Sequence, residues 1–265
     1  MVDRILNITR EADWLTLELN RPNARNALSR DLIHAFIAEL KVAAQDESIR
    51  GITLRGAGEV FCAGGDLRGF QALNAKSESS LEDIRAASRE TGALLRTVAT
   101  QPQPTIALVH GAAMAGGLGL MAATDIAIAH SDTRLALTET RLGLIPAQIA
   151  PWIVRRGGMI AAQRLMLTGA RFTADQAREF GLVDFVEADD AHLRERYEAI
   201  RRDIRACAPC ANRATKRLMR TLEGDALDDF VEQAADAFTQ ALAGDEGQQG
   251  IRSFLDRSTP PWQSR

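Results

Sequence analysis

Short runs with the two-residue period of a strand alternate with apolar positions at helical spacing through residues 1–190, and this alternation most restricts the fold. Leu15, Leu17 and Leu19 alternate with Thr16 and Glu18, the pattern of a half-buried strand, and Arg4 to Thr9 reads as its partner. Ser29 stands where it would cap a helix carrying Leu32, Ile33, Phe36, Ile37 and Leu40 on one face. Gly51 to Arg55 predicts a third strand, closed by Gly56 and Gly58. A polar stretch from Gln71 to Ser80 precedes a second helix reaching Ala99, with Leu81, Ile84, Leu94, Leu95 and Val98 at helical spacing. Pro102 and Pro104 end that helix, and Thr105 to Val109, Asp125 to Ala129 and Arg134 to Leu137 read as further strands. Strand, helix, strand in succession demands crossover helices and mainly parallel pairing, an α/β core. Beyond about Gly181 the pattern changes to helices, at Ala191 to Ala206, Arg213 to Leu222 and Ala226 to Leu242. The expected division is therefore a core over residues 1–190 and a helical region over 191–265.

Composition narrows the function classes. With 32 basic and 35 acidic residues in 265, the net charge of −3 gives no basic surplus for a nucleic-acid partner. Cys62, Cys207 and Cys210 are too few and too unevenly spaced for a disulfide framework. The most apolar stretch, Gly111 to Ala123, is broken by glycine and short of the ~20 residues that cross a bilayer. The first residues lack the apolar core of a signal peptide. A cytoplasmic protein with no membrane partner is the expectation.

Two glycine-rich turns each follow a strand. The first is Phe61-Cys62-Ala63-Gly64-Gly65-Asp66-Leu67, and the second runs from Val109 through Gly116 and Gly117 to Leu120. Small residues let a backbone approach a ligand and leave N–H groups free to point at it, although a tight turn or close helix packing explains each one singly. Neither fits a phosphate loop or the G-x-G-x-x-G dinucleotide fingerprint. As a pair, two strand ends that each offer an N–H to one oxygen would form an oxyanion hole, suited to the enolate of a thioester.

The ordered set of motifs resembles the enoyl-CoA hydratase/isomerase (crotonase) family over essentially the whole chain. It comprises Asn20-Arg21-Pro22 with Asn26-Ala27-Leu28, the segment Phe61 to Leu67, Gly111 to Gly117 leading to Asp125 to Ala129, Glu139 to Pro146, and Gly250 to Arg257. The resemblance implies a spiral of ββα units with a C-terminal α-helical trimerisation region, assembled as a homotrimer or a hexamer of paired trimers. It implies an acyl-CoA thioester substrate, with CoA part of that substrate and no separate cofactor or metal. The oxyanion donors it implies are the N–H groups of Gly65 and Gly116, and removal of one such donor costs roughly 3 kcal/mol of transition-state stabilisation.

Family hydratases use two glutamates. One matches Glu139, whereas the position of the other holds Gly119, which has no side chain to move a proton. Glu139 is thus the implied catalytic carboxylate, and its alternative is a solvated group paired with Arg141. A carboxylate facing an apolar pocket would have a raised pKa, suited to proton transfer near neutrality. The loss of one glutamate favours isomerisation of the double bond. The Ala147-Gln148-Ile149-Ala150-Pro151 pattern, with Gly119, resembles instead the branch acting on 3-substituted glutaconyl-CoA thioesters, and the Ala147 to Ala150 run puts isohexenylglutaconyl-CoA from acyclic terpene breakdown ahead of 3-methylglutaconyl-CoA from leucine breakdown. A third reading, a non-catalytic acyl-CoA binder or scaffold, rests on the missing glutamate and is opposed by Glu139.

The remaining site residues follow from the same resemblance. Ala63, Asp66 and Leu67 match the adenine-side contact, with Asp66 equally able to cap the following helix. Arg25 stands near a position that reaches CoA phosphates. Phe254 and Arg257 match a pair that closes the CoA site from a neighbouring subunit, with plain core the alternative for Phe254. Gln148 either lines the acyl pocket or faces solvent, and Arg68 and Arg171 compete for a substrate carboxylate. The Cys207–Cys210 pair lacks the partners of a zinc or redox site and reads as two structural thiols in a helix break. Cys62 is not assigned as a nucleophile. The four histidines, His34, His110, His130 and His192, show no metal-ligand spacing and read as structural.

Overall fold

The computed structural model describes residues 4–69, 71, 81–221 and 226–259. The polar stretch from Gln71 to Ser80 lies outside the described residues except for Gln71, as does Leu222 at the end of a predicted helix.

The chain opens on a hairpin. Strand β1 (Leu6–Glu11) pairs antiparallel with β2 (Trp14–Leu19), Glu11 facing Trp14. The two-residue connection holds Ala12 at φ 54°, so β1 ends two residues later than the sequence pattern gives, where the turn reverses the chain. Helix α1 (Arg30–Gln45) begins at Ser29, whose hydroxyl accepts from the Leu32 N–H, and buries Leu32, Ile33, Phe36 and Leu40. It returns the chain to β3 (Gly51–Gly56), parallel to β2. Helix α2 (Leu81–Ala99) then leads to β4 (Thr105–Val109). Of its predicted apolar positions, Leu81 faces solvent and the others are buried.

From β4 the path becomes a spiral. Each turn gives one strand to the main sheet and a short one to a second sheet. Thus β4 is followed by β5 (Ala112–Met114) and helix α3 (Gly116–Ala122), and β6 (Ile126–His130) by β7 (Arg134–Ala136). Helix α4 (Ala150–Thr168), β8 (Arg171–Thr173), helix α5 (Ala174–Glu179) and β9 (Phe185–Glu187) complete the core. The main sheet has the order β1-β2-β3-β4-β6-β9, parallel throughout except for the hairpin, and the second sheet the order β5-β7-β8. The strands are short and rich in Ala, Ile and Leu because both faces are covered, as parallel sheets require.

Strand β9 corrects the expectation that residues beyond Gly181 are helical only: it supplies an edge of the main sheet by pairing with β6. Helices α6 (Asp190–Ala206), α7 (Pro209–Thr221), α8 (Ala226–Ala243) and α9 (Asp245–Leu255) follow. They sit on the spiral: Tyr197, Ile200 and Ile204 of α6 pack with Trp14, Ile106 and Ile128, while Leu242 and Ile251 pack with Ile84 and Leu144. Leu144 lines the cavity described next, as do Phe238 of α8 and Phe254 of α9, so the last helices close it from one side.

Candidate active site

The two glycine turns are stitched together by backbone hydrogen bonds. The Cys62 N–H donates to Ala112 O (3.1 Å) and the Met114 N–H returns to Cys62 O (3.0 Å), while Leu28 N–H reaches Gly64 O (2.8 Å) and Ala63 N–H reaches Arg25 O (2.9 Å). Contact this close excludes side chains. A Cβ built on Gly117 would stand 2.3 Å from the Cys62 carbonyl oxygen, and Gly64 combines φ 99° with a backbone oxygen 2.8 Å from such an atom. Between β5 and α3, Ala115 is held at φ 48°, ψ −120°, a conformation that L-residues rarely adopt and that turns the chain sharply into Gly116.

What remains is a pair of adjacent, unused donors. Among the described residues neither the Gly65 nor the Gly116 N–H donates to a protein acceptor. A Cβ on Gly116 would lie 3.5 Å from the Gly65 nitrogen, which measures how near the two turns come. Both residues line a cavity of about 840 Å³, within the size range of small-molecule sites.

Glu139 lines the same cavity. It opens a 3₁₀ turn, Glu139–Leu142, separated from the end of β7 by two residues. Its side chain is buried, 7% exposed, and neither carboxylate oxygen has a hydrogen-bond partner. Buried polar atoms are paired in the great majority of cases, so two orphaned oxygens on one acid mark a group whose partner is not protein. Burial pushes its pKa up to about 7. The expectation of a solvated pair with Arg141 is overturned: that guanidinium turns to the Thr168 carbonyl at 3.4 Å.

Other expected residues divide cleanly. Arg25, Ala63, Leu67, Gln148 and Phe254 line the cavity together with Gly65, Gly116 and Glu139. Asp66 does not. Its carboxylate accepts from the Gly69 N–H at 3.2 Å and pairs with Arg21 at 3.1 Å, so it caps the helix that starts at Leu67 and ties down the Arg21 segment. Phe254 is 56% exposed, which corrects the core alternative, and it lines the cavity of its own chain. Arg257, three residues on at φ 53°, is not among the lining residues. Of the two arginines considered for a substrate carboxylate, Arg171 lines the cavity and Arg68 does not. Gln148 is 5% exposed, against the alternative of a solvent-facing loop residue.

Sequence reasoning missed Arg134, Ser88 and Phe238, all cavity-lining. Arg134 carried a readable signal, since it lies on the strand leading to Glu139. It and Thr173 are register partners across β7 and β8, and Arg171 is two residues from Thr173 on the same face. Ser88 and Phe238 come from α2 and α8, and only the tertiary fold brings them to the site.

The remaining polar residues serve the scaffold. Cys62 is fully buried with its thiol pushed up to about 12, which removes it as a nucleophile. Cys207 and Cys210 are free, exposed thiols at the break between α6 and α7. The ring of His34 is half exposed and faces Glu90 at 3.4 Å. Among the described residues no cluster of three or more potential metal ligands occurs, and no helix is long and apolar enough to cross a membrane.

Comparison with known proteins agrees with this geometry. The family model described as enoyl-CoA hydratase/isomerase matches residues 9–265. The 2,3-dehydroadipyl-CoA hydratase of Escherichia coli is 32% identical over 262 residues, covering 98% of this chain and 99% of that protein. Among solved structures, Pseudomonas aeruginosa AtuE is 40% identical with a TM-score of 0.81, covering 98% of this chain and 99% of the other. An enoyl-CoA hydratase from Mycobacterium avium is 30% identical with a TM-score of 0.87, covering 98% and 100%. The orphaned carboxylate, the paired glycine turns and a match spanning nearly every residue place this chain in the enoyl-CoA hydratase/isomerase family.

Proposed function

We propose that this protein is a carbon–oxygen lyase that adds water across the C2=C3 bond of a branched enoyl-CoA thioester. The observation that carries the reading is Glu139, buried in the cavity with both oxygens unpartnered. The thioester carbonyl is to accept from the N–H groups of Gly65 and Gly116. Glu139 as the carboxylate takes a proton from water while that water's oxygen bonds to C3. The π electrons of C2=C3 move toward the carbonyl as an enolate, stabilised by the two amides. Glu139, now protonated, returns the proton to C2. One carboxylate suffices, because the proton it takes is the proton it gives.

For the acyl group, the reading is a 3-substituted glutaconyl chain, isohexenylglutaconyl-CoA or 3-methylglutaconyl-CoA. Supporting it are the Ala147-Gln148-Ile149-Ala150 run and Arg171, which lines the cavity without an acid partner among the described residues. The substrate's own distal carboxylate would then help to place the water, and methyl esterification of that group should abolish hydration. Arg25, Ala63 and Leu67 are assigned to the CoA moiety. Self-association as a trimer or hexamer is part of the proposal, and the exposed Met159, Ile160 and Leu167 of α4 are in keeping with it.

The test is loss of absorbance at the enoyl thioester band on mixing with straight-chain, 3-methylglutaconyl and isohexenylglutaconyl thioesters. Wild type should consume a branched thioester and incorporate labelled solvent oxygen, and Glu139→Gln should lose at least a hundredfold in kcat. A binder without turnover would show only thermal stabilisation by CoA. The second reading, an isomerase carrying a proton between C2 and C4, is favoured by one feature: a Cβ on Gly119 would meet Ile149 at 3.0 Å, so an apolar side chain fills the space beside it. Turnover of a 3-enoyl thioester without solvent oxygen would establish it instead.

A further inference from the structure

Gln148 and Ile149 are consecutive residues pinned in different directions. The Gln148 amide donates from Nε2 to Ser88 Oγ and to the Val231 carbonyl, both at 3.2 Å, bridging α2 and α8. Its head sits in a notch that exists only because residue 92 on α2 is glycine: a Cβ there would stand 2.1 Å from Gln148 Oε1 and 2.7 Å from Cδ. Ile149, the residue before α4, instead lies against α3, with its Cγ1 and Cγ2 each 3.0 Å from where a Cβ of Gly119 would be. Gly119 is three residues along α3 from Gly116, an advance of about 4.5 Å. Ile149 lines the cavity and packs beside Gly119, about one helical turn along α3 from the residue whose amide is assigned to the thioester oxygen.

We infer that Ile149 is a specificity-determining residue, held in place by the Gln148–Gly92 clamp, and that this wall accepts an aliphatic C4 segment and rejects a hydroxylated one. The inference rests on the enoyl thioester reading above. The physical basis is desolvation: a hydroxyl pressed against Ile149 loses its water and meets no acceptor on that side chain. Gln148 and Gly92 are positioning residues, since they act through the placement of Ile149.

The experiment compares kcat/KM for trans-2-hexenoyl-CoA and its 4-hydroxy analogue in wild type, Gly92→Ala, Gln148→Ala, the double variant and Ile149→Ala. Alanine favours a helix over glycine, so Gly92→Ala tests the notch and not the stability of α2. Wild type should prefer the aliphatic thioester, and each single variant should reduce that preference about tenfold, the scale on which apolar pockets discriminate. The double variant should be no worse than Gln148→Ala, because the side chain that clashes is gone, whereas independent effects would multiply. Ile149→Ala gives the same readout without touching the clamp. If wild type hydrates an enoyl thioester but shows no preference for hexenoyl-CoA over its 4-hydroxy analogue, or a preference unchanged across the variants, even with lowered thermal stability, the inference is overturned while the proposed function stands. If wild type turns over no enoyl thioester, both fall.

Discussion

A buried acid with no partner is costly once ionised, and at Glu139 that cost is the signature of function. The folded state holds its proton up to a pKa of about 7, against an ordinary value of 4.5. Below pH 4.5 both folded and unfolded forms carry the proton and the group is neutral with respect to stability. Between 4.5 and 7 the unfolded chain releases it and the folded one does not, so stability falls as pH rises, levelling above 7. The difference amounts to about 3 kcal/mol at 1.36 kcal/mol per pKa unit. Glu139→Gln should therefore unfold like wild type at pH 4 and be more stable at pH 8, by up to about 3 kcal/mol in urea titrations. Activity should move oppositely: kcat/KM of wild type should rise with pH and level off above about 7, because only the carboxylate can take a proton from water. A flat profile from pH 5 to 9 would remove Glu139 as the base.

At the scale of elements, the site depends on how closely two turns approach. The short bridge between Cys62 and Ala113 and that between Leu28 and Gly65 hold the first turn against β5 and the segment before α1. Gly117→Ala drives a methyl into the Cys62 carbonyl, backbone that cannot swing aside, so α3 must shift and carry the Gly116 amide with it. The expected result is roughly 2 kcal/mol of lost stability together with a fall in kcat, read by urea unfolding and steady-state kinetics. Ser29→Ala is a useful contrast. It removes the α1 cap at a cost of about 1 kcal/mol without bearing on the two amides, so its kcat should follow wild type.

Across the whole molecule, a buried ion pair fastens α7 to the main sheet. Lys216, 6% exposed, donates to the Asp125 carboxylate and to Gln103 O, and Asp125 also accepts from the Thr105 N–H at 2.7 Å and its hydroxyl at 2.8 Å. Lys216→Ala leaves that carboxylate half-buried without its cation and should cost about 3 kcal/mol, seen as a lowered thermal midpoint. Asp125→Asn with Lys216→Met, which removes both charges, should recover part of the loss.

Apart from β5, the sequence alone determined the order of strands and helices through β7, since alternation and helical spacing are local properties that burial on one face writes into the chain. It also pointed to Gly65, Gly116 and Glu139, because motifs that need bare backbone or a single acid leave few residue types to choose from. It left the short elements β5, β8 and β9 unread: three residues carry too little periodicity, and their pairing partners lie far along the chain. The fates of Asp66, Phe254, Arg171 and Gln148 were decided only by tertiary structure. Whether a charged, aromatic or amide side chain reaches a cavity depends on what packs behind it, as Gly92 on α2 does for Gln148 and Arg21 does for Asp66. Such contacts join residues tens of positions apart, and no local pattern records them.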